Sequence, residues 1–270
     1  MDQRAISPAA LYASIGTKAA PLLLDVRRES DFQEDNTVIV SALRRSPNDA
    51  AHWARLLPAG KSVVVHCVRG GEVSQGVAHA LAAQGIPVSF LEGGIAAWRR
   101  ERLPTRVKRN ADTSRWITRE RPKIDRIACP WLIHRFINPE AEFIYVPTER
   151  VFAEASELSA TPYDIPGAEP FSHDGPLCSF DAFLRTYDIH DAALDQLAVI
   201  VRGADTAHPE LAPQASGLHA ISLGLSANFP DDHVVLQHGM VMYDALYTWC
   251  RSLQGEVHNW TPPTTASVPS

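Results

Sequence analysis

Residues Ser62–Ser74 read SVVVHCVRGGEVS, and this stretch decides the fold of the first part of the chain. Three valines in a row are β-branched and suit a buried strand. A cysteine follows, then two glycines, then helix-forming sequence. That order describes a strand, a tight loop and a helix N-terminus. Gly70 and Gly71 permit the left-handed backbone angles such a loop needs. Successive backbone N–H groups can then converge on one point as an anion-binding nest, and the helix dipole adds positive potential there. A thiol at that point has a lowered pKa and is a competent nucleophile, which makes Cys67 the first candidate for chemistry.

Working outward, the same alternation continues. Leu22–Val26 (LLLDV), Val38–Val40 and Pro87–Leu91 read as further strands. Val73–Ala83 reads as a helix with Val73, Val77 and Leu81 on one face, and Gly94–Glu101 as another. Strands alternating with helices predict an α/β unit with a mainly parallel sheet and flanking helices over residues 1–105. Residues 106–115 read as a linker, within the stretch Arg106–Lys123 that is rich in Arg, Lys and Thr. Residues 116–260 read as a second, mostly α-helical domain, and residues 261–270, rich in Pro, Ser and Thr, as a disordered tail.

In that second domain the pattern predicts a helix over Pro130–Phe136 with Pro130 at its first position. A strand is expected at Glu142–Val146 and an irregular loop over Thr161–Leu177. Helices are expected at Phe180–Thr186, Ala192–Arg202, Leu211–Leu223 and Asp231–Leu253. The chain has 270 residues, a net charge of −6 and four widely spaced cysteines. This charge gives no global field for nucleic acid or an anionic membrane. No apolar stretch is long enough to span a bilayer. No disulfide or CxxC pattern and no secretory leader are visible, so a cytoplasmic protein with reduced thiols is expected.

The first hundred residues resemble the rhodanese (sulfurtransferase) family. Asp25-Val26-Arg27 ends the first long strand as that family's Asp-x-Arg does. Cys67 occupies the loop, and LEGGIAAW (Leu91–Trp98) resembles the closing strand-to-helix segment. The resemblance implies that Cys67 attacks a sulfane sulfur donor and carries the sulfur as a persulfide. The loop Val68, Arg69, Gly70, Gly71, Glu72, Val73 and Ser74 would bind the charged sulfur, with Asp25 and Arg27 in support. A thiol acceptor such as glutathione would then remove it. Two departures stand out. Glu72 replaces the arginine often found five places after the cysteine, with Arg69 available to offset it. The family's Gly-His-Ile-x-Gly-Ala stretch is replaced by VIVSALRRS (Val38–Ser46).

Residues 116–253 resemble the C-terminal domain of the chromate-resistance protein family. The resemblance rests on RPKIDRIACPWLIHRFINPEAEFIYVP (Arg121–Pro147), DIPG (Asp164–Gly167), HDGPLCSFDAFL (His173–Leu184), IVRGADT (Ile200–Thr206) and YDALYTWC (Tyr243–Cys250). It implies a role in resistance to chromate and no defined reaction. Read as residues, His173, Asp174, Cys178 and Asp181, with Asp205 and His134 from elsewhere, offer imidazole, thiolate and carboxylate donors for a transition metal ion. Their spacing matches no closed zinc motif. Asp125, Arg126 and Arg135 are alternatively read as an internal ion pair.

Two functions follow. One is a sulfurtransferase whose second domain binds a metal or an oxyanion such as chromate. The other is a non-catalytic chromate or metal sensor in which the first domain is a docking module.

Overall fold

The computed structural model describes residues 4–109 and 114–257. The expected tail at 261–270 and part of the expected linker therefore lie outside the described residues.

The first half contains strands β1 (Arg4–Ile6), β2 (Leu22–Asp25), β3 (Thr37–Ile39), β4 (Leu43–Arg44), β5 (Val63–His66), β6 (Val88–Leu91) and β7 (Thr105–Val107). Its helices are α1 (Pro8–Ser14), α2 (Glu29–Glu34), α3 (Ala50–Trp53), α4 (Glu72–Ala82) and α5 (Gly94–Arg100). Five strands form a parallel sheet in the order β1-β6-β5-β2-β4. The α/β expectation is borne out. The apolar runs are continuous because both faces of the sheet are buried. Leu22, Leu24, Val63 and Val65 pack with Trp53, Val77 and Leu81 on one face. Leu23 and Val64 point the other way, to Leu11, Ile95 and Trp98.

The run at Val38–Val40 does not join this sheet. Thr37–Ile39 pairs antiparallel with Thr105–Val107, so residues read as the start of the linker form a strand instead. Arg106 within it is buried.

The second half contains β8 (Arg115–Arg119), α6 (Asp125–Leu132), β9 (Glu142–Val146), α7 (Val151–Leu158), β10 (Thr161–Pro162), α8 (Ser179–Tyr187), α9 (Ala192–Asp205), α10 (Ala215–Asn228) and α11 (Asp232–Thr248). Helices dominate, around a small parallel sheet in the order β10-β8-β9. On β8, Trp116 enters the main core while Ile117 packs with Val151 and Ala155 on the opposite face.

α7 has no counterpart among the expected helices, α10 runs Ala215–Asn228 rather than Leu211–Leu223, and α6 differs most. α6 starts at Asp125 and carries Pro130 in its interior. The missing Pro130 N–H leaves the Arg126 carbonyl without its helical donor, and the Tyr163 hydroxyl donates to that oxygen at 3.5 Å. A π-helical turn at Ile133–Ile137 follows directly.

The two halves share one hydrophobic core, in which Leu11, Ile95 and Trp98 meet Trp131, Phe136 and Tyr247. Polar contacts lock the joint. The Ser41 N–H donates to the Phe136 carbonyl at 2.7 Å. Arg251 donates to the carbonyls of Tyr12 (2.6 Å) and Ile15 (3.1 Å). Tyr12 and Tyr247 both donate to the Asp191 carboxylate, and burial together with that hydrogen bond pushes the Tyr12 hydroxyl pKa up to about 12.

Candidate functional site

The Cys67 loop is built as the sequence suggests. The central strand β5 ends at His66 and delivers Cys67 to the C-terminal end of the sheet, and α4 begins at Glu72 with Gly71 at its N-cap. Gly70 has φ +68° and sits so close to Leu91 and Gly93 that a Cβ there would approach the Leu91 carbonyl oxygen to 2.6 Å. The LEGG segment closes on the loop. Ile95 and Ala96 donate their N–H groups to the carbonyls of Cys67 and Val68, each at 3.0 Å. This turns those oxygens away from the cradle.

Cys67 is 6 % exposed, and its Sγ lies 3.2 Å from the Ser74 hydroxyl. Burial alone pushes a thiol up. Here hydrogen bonds from the Ser74 side chain and from the N–H groups of Ser74, Arg69 and Gly71 outweigh it, so the thiol lies below its ordinary value. Cys67 opens onto a cavity of about 380 Å³ lined by Arg28, Asp31, Val68, Arg69, Gly71, Glu72 and Val73.

Asp25 and Arg27 are placed beneath the loop and do not line this cavity. Arg27, 1 % exposed, grips Asp25 through Nε and Nη2 at 2.6–3.0 Å and reaches Asp35 and the Thr37 carbonyl. Burial would raise the Asp25 carboxyl, but His66 and the Arg27 guanidinium hold it below the usual carboxylate range. The pair therefore ties the end of β2 to β3. The cavity takes the neighbouring Arg28 instead. A two-residue strand alternation was the only signal for that, since adjacent side chains on an extended chain point opposite ways.

The second-domain candidates divide. His173 Nε2 lies 3.1 Å from Asp125, 3.4 Å from Asp164 and 3.1 Å from Asp205. Three segments meet there: the first residue of α6, the loop between β10 and α8, which carries both Asp164 and His173, and the last residue of α9. These three carboxylates push the His173 imidazole up to about 12. Burial and the charge of Asp164 push the Asp125 carboxyl well up. Asp164 is held down despite burial, by His173, the Ser179 hydroxyl at 2.8 Å and Arg119 at 3.0 Å.

Cys178 and Asp181 do not join this group. Asp181 forms a two-point ion pair with Arg202 at 2.7 and 2.9 Å and accepts the Cys178 N–H at 3.1 Å. Cys178 is fully buried, and burial raises its thiol strongly. His134 packs edge-on to Phe143, and burial lowers its pKa. The expected pairing of Asp125 with Arg126 or Arg135 is also not formed. Arg126 turns to Asp164 (3.3 Å) and Arg135 to Asp244 (2.8 Å). Sequence reading thus missed Asp125 and Asp164, whose partners lie on distant segments.

A Cys-bearing parallel sheet with an N–H cradle, joined through a common core to a mostly helical domain, defines a rhodanese-like domain fused to a second globular domain. The comparisons agree: the rhodanese-like domain family matches residues 7–101. The ChrB C-terminal domain family matches residues 116–250, and the chain belongs to that family. Protein ChrB of Cupriavidus metallidurans is 31% identical over 147 residues. That match covers 54% of this chain and 44% of the relative, so the chain spans less than half the length of the curated relative it matches. Among solved structures, a rhodanese-related protein from Thermoplasma volcanium is 25% identical, with a TM-score of 0.34 over 38% of this chain and 96% of its own. A rhodanese-like domain protein from Staphylococcus aureus is 22% identical, with a TM-score of 0.32 over 36% of this chain and 91% of its own. No helix among the described residues is long and apolar enough to cross a membrane.

Proposed function

We propose that this protein is a rhodanese-type sulfurtransferase acting in chromate resistance, with Cys67 as the sulfur carrier. The observation that carries the reading is the Cys67 thiol held below its ordinary pKa by Ser74 and three backbone N–H groups at the mouth of an open cavity. The chromate context rests on the relationship to ChrB.

In the first step the Cys67 thiolate attacks the outer sulfur of a sulfane donor. The donor's sulfur–sulfur bond breaks, its inner fragment leaves with the bonding electron pair, and Cys67 becomes a persulfide. In the second step an acceptor thiolate attacks the terminal sulfur. The Cys67 thiolate leaves and the acceptor departs as a persulfide, so the cycle has no net redox change. The same N–H cradle that favours the thiolate favours the persulfide anion.

The rim of the cavity suits a particular class of partner. Arg28 and Arg69 supply positive charge and Asp31 and Glu72 negative charge around one opening. A zwitterionic low-molecular-weight thiol or its persulfide, such as glutathione, complements both signs. A dianion such as thiosulfate meets repulsion from the two carboxylates.

The test is sulfur loading of the full chain by glutathione persulfide, followed by intact-mass measurement. One added sulfur atom on the wild type, and none on Cys67→Ser, is the expected result. Equal loading of both proteins would sink the reading in favour of a docking module.

A further inference from the structure

We propose that Asp125, Asp164 and His173, with Asp205 flanking the imidazole from outside the group, form a binding site for one divalent first-row cation of the Mn²⁺, Fe²⁺ or Zn²⁺ type in the ChrB-type domain. The proposal does not depend on the chemistry of Cys67.

Metal–ligand bonds of about 2.1 Å to nitrogen and oxygen place neighbouring ligand atoms roughly 3.0–3.4 Å apart around the ion. The three separations from His173 Nε2 to carboxylate oxygens are 3.1, 3.4 and 3.1 Å. One oxygen each from Asp125 and Asp164 and the imidazole nitrogen all lie within 4.8 Å of one another.

Nε2 carries at most one hydrogen, so it can donate to one of the three carboxylates, not to all. Asp164 has Arg119 and Arg126 as further partners. Asp125 is 2 % exposed and has no lysine or arginine partner among the described residues. A buried carboxylate beside a second one needs a proton or a cation between them. A divalent ion in place of that proton satisfies both carboxylates and takes Nε2 as a ligand rather than a donor.

His173 is 42 % exposed at its side chain and lines a cavity of about 590 Å³, which gives an ion a way in.

The donor set selects the class of ion. Imidazole with carboxylates suits first-row divalent metals, whereas calcium takes six or more oxygens and magnesium keeps most of its water.

The experiment uses the full chain, stripped with a chelator and titrated with Mn²⁺ and separately with Zn²⁺. Mn²⁺ is followed by loss of the free-ion electron paramagnetic resonance signal and Zn²⁺ by calorimetry. The expected result is one ion per chain for at least one metal, with affinity reduced about tenfold or more in His173→Ala and in Asp205→Asn. His173 lies on a loop with an exposed side chain, so its variant tests binding with the fold intact, checked by circular dichroism. Asp174→Asn, which alters only the neighbouring surface carboxylate paired with Arg185, should bind as the wild type does. Failure of both metals to bind at one per chain would overturn the proposal. So would His173→Ala binding as tightly as the wild type, or an equal loss in Asp174→Asn.

Discussion

Ile95 donates its backbone N–H to the carbonyl oxygen of Cys67 at 3.0 Å. The start of α5 therefore holds the loop from which the reactive thiol projects. This contact is possible only because Gly94, with φ +57°, has no side chain. A Cβ there would lie 2.3 Å from the same carbonyl oxygen. Gly94→Ala should push the loop open, slow alkylation of Cys67 by iodoacetamide, and lower stability by about 1–3 kcal/mol. A variant that melts and alkylates like the wild type would show that the loop is not held from this side.

Ser74 contributes to the low thiol pKa through its hydroxyl at 3.2 Å. Removing it in Ser74→Ala leaves burial less opposed, so the thiol pKa rises and less thiolate is present at neutral pH. Alkylation at pH 7 should fall roughly three- to tenfold, while the rate at high pH converges on that of the wild type. An unchanged pH profile would assign the activation to the backbone N–H groups alone.

Arg27 neutralises a carboxylate that is otherwise fully buried. Arg27→Leu strands the Asp25 charge and should cost about 3–5 kcal/mol in chemical denaturation. The double variant with Asp25→Asn should recover part of that loss.

The Asp25 carboxyl also sets a pH dependence. Its folded-state pKa is lowered. Its stabilising contribution is therefore complete above the unfolded-state value of about 4 and is lost as pH falls through the folded value. The melting-temperature gap between wild type and Asp25→Asn should be constant near neutrality and narrow in acid. A gap that widens in acid would reverse the sign of this argument.

Asp191 joins the two halves, capping α9 through the N–H groups of Ala193 and Leu194 while accepting from Tyr12 and Tyr247. Gly16 fits against Tyr247 at φ +80°, where a Cβ would lie 2.3 Å from the ring. Asp191→Ala should cost about 1–2 kcal/mol from the cap alone, and both halves should melt in one transition. Separate transitions in the wild type would show that the shared core does not couple them.

The strand–loop–helix unit around Cys67 was legible in the amino-acid order alone, because each signal for it is local. Val63–Val65, Gly70 and Gly71, and the start of α4 lie within a dozen positions, where periodicity and backbone preference act. Parallel burial of the sheet was legible for the same reason, in apolar runs with no polar alternation. The helix at Asp125 was not, because Pro130 reads as a start signal and the donor to the freed Arg126 carbonyl is Tyr163, 37 residues beyond Arg126. The pairing of β3 with β7 likewise joins strands far apart in the chain. The division of labour is clearest at the second site. His173 was visible as a polar residue in a loop, but its partner Asp125 is 48 residues away and its partner Asp205 lies at the far end of a later helix. No helical or strand period links such positions. Only the packing of α6, α8 and α9 into one core brings three carboxylates onto one imidazole, and the same packing sends Asp181 to Arg202. Tertiary structure, which fixes how buried charge must be paired, decided which of the polar residues became a site.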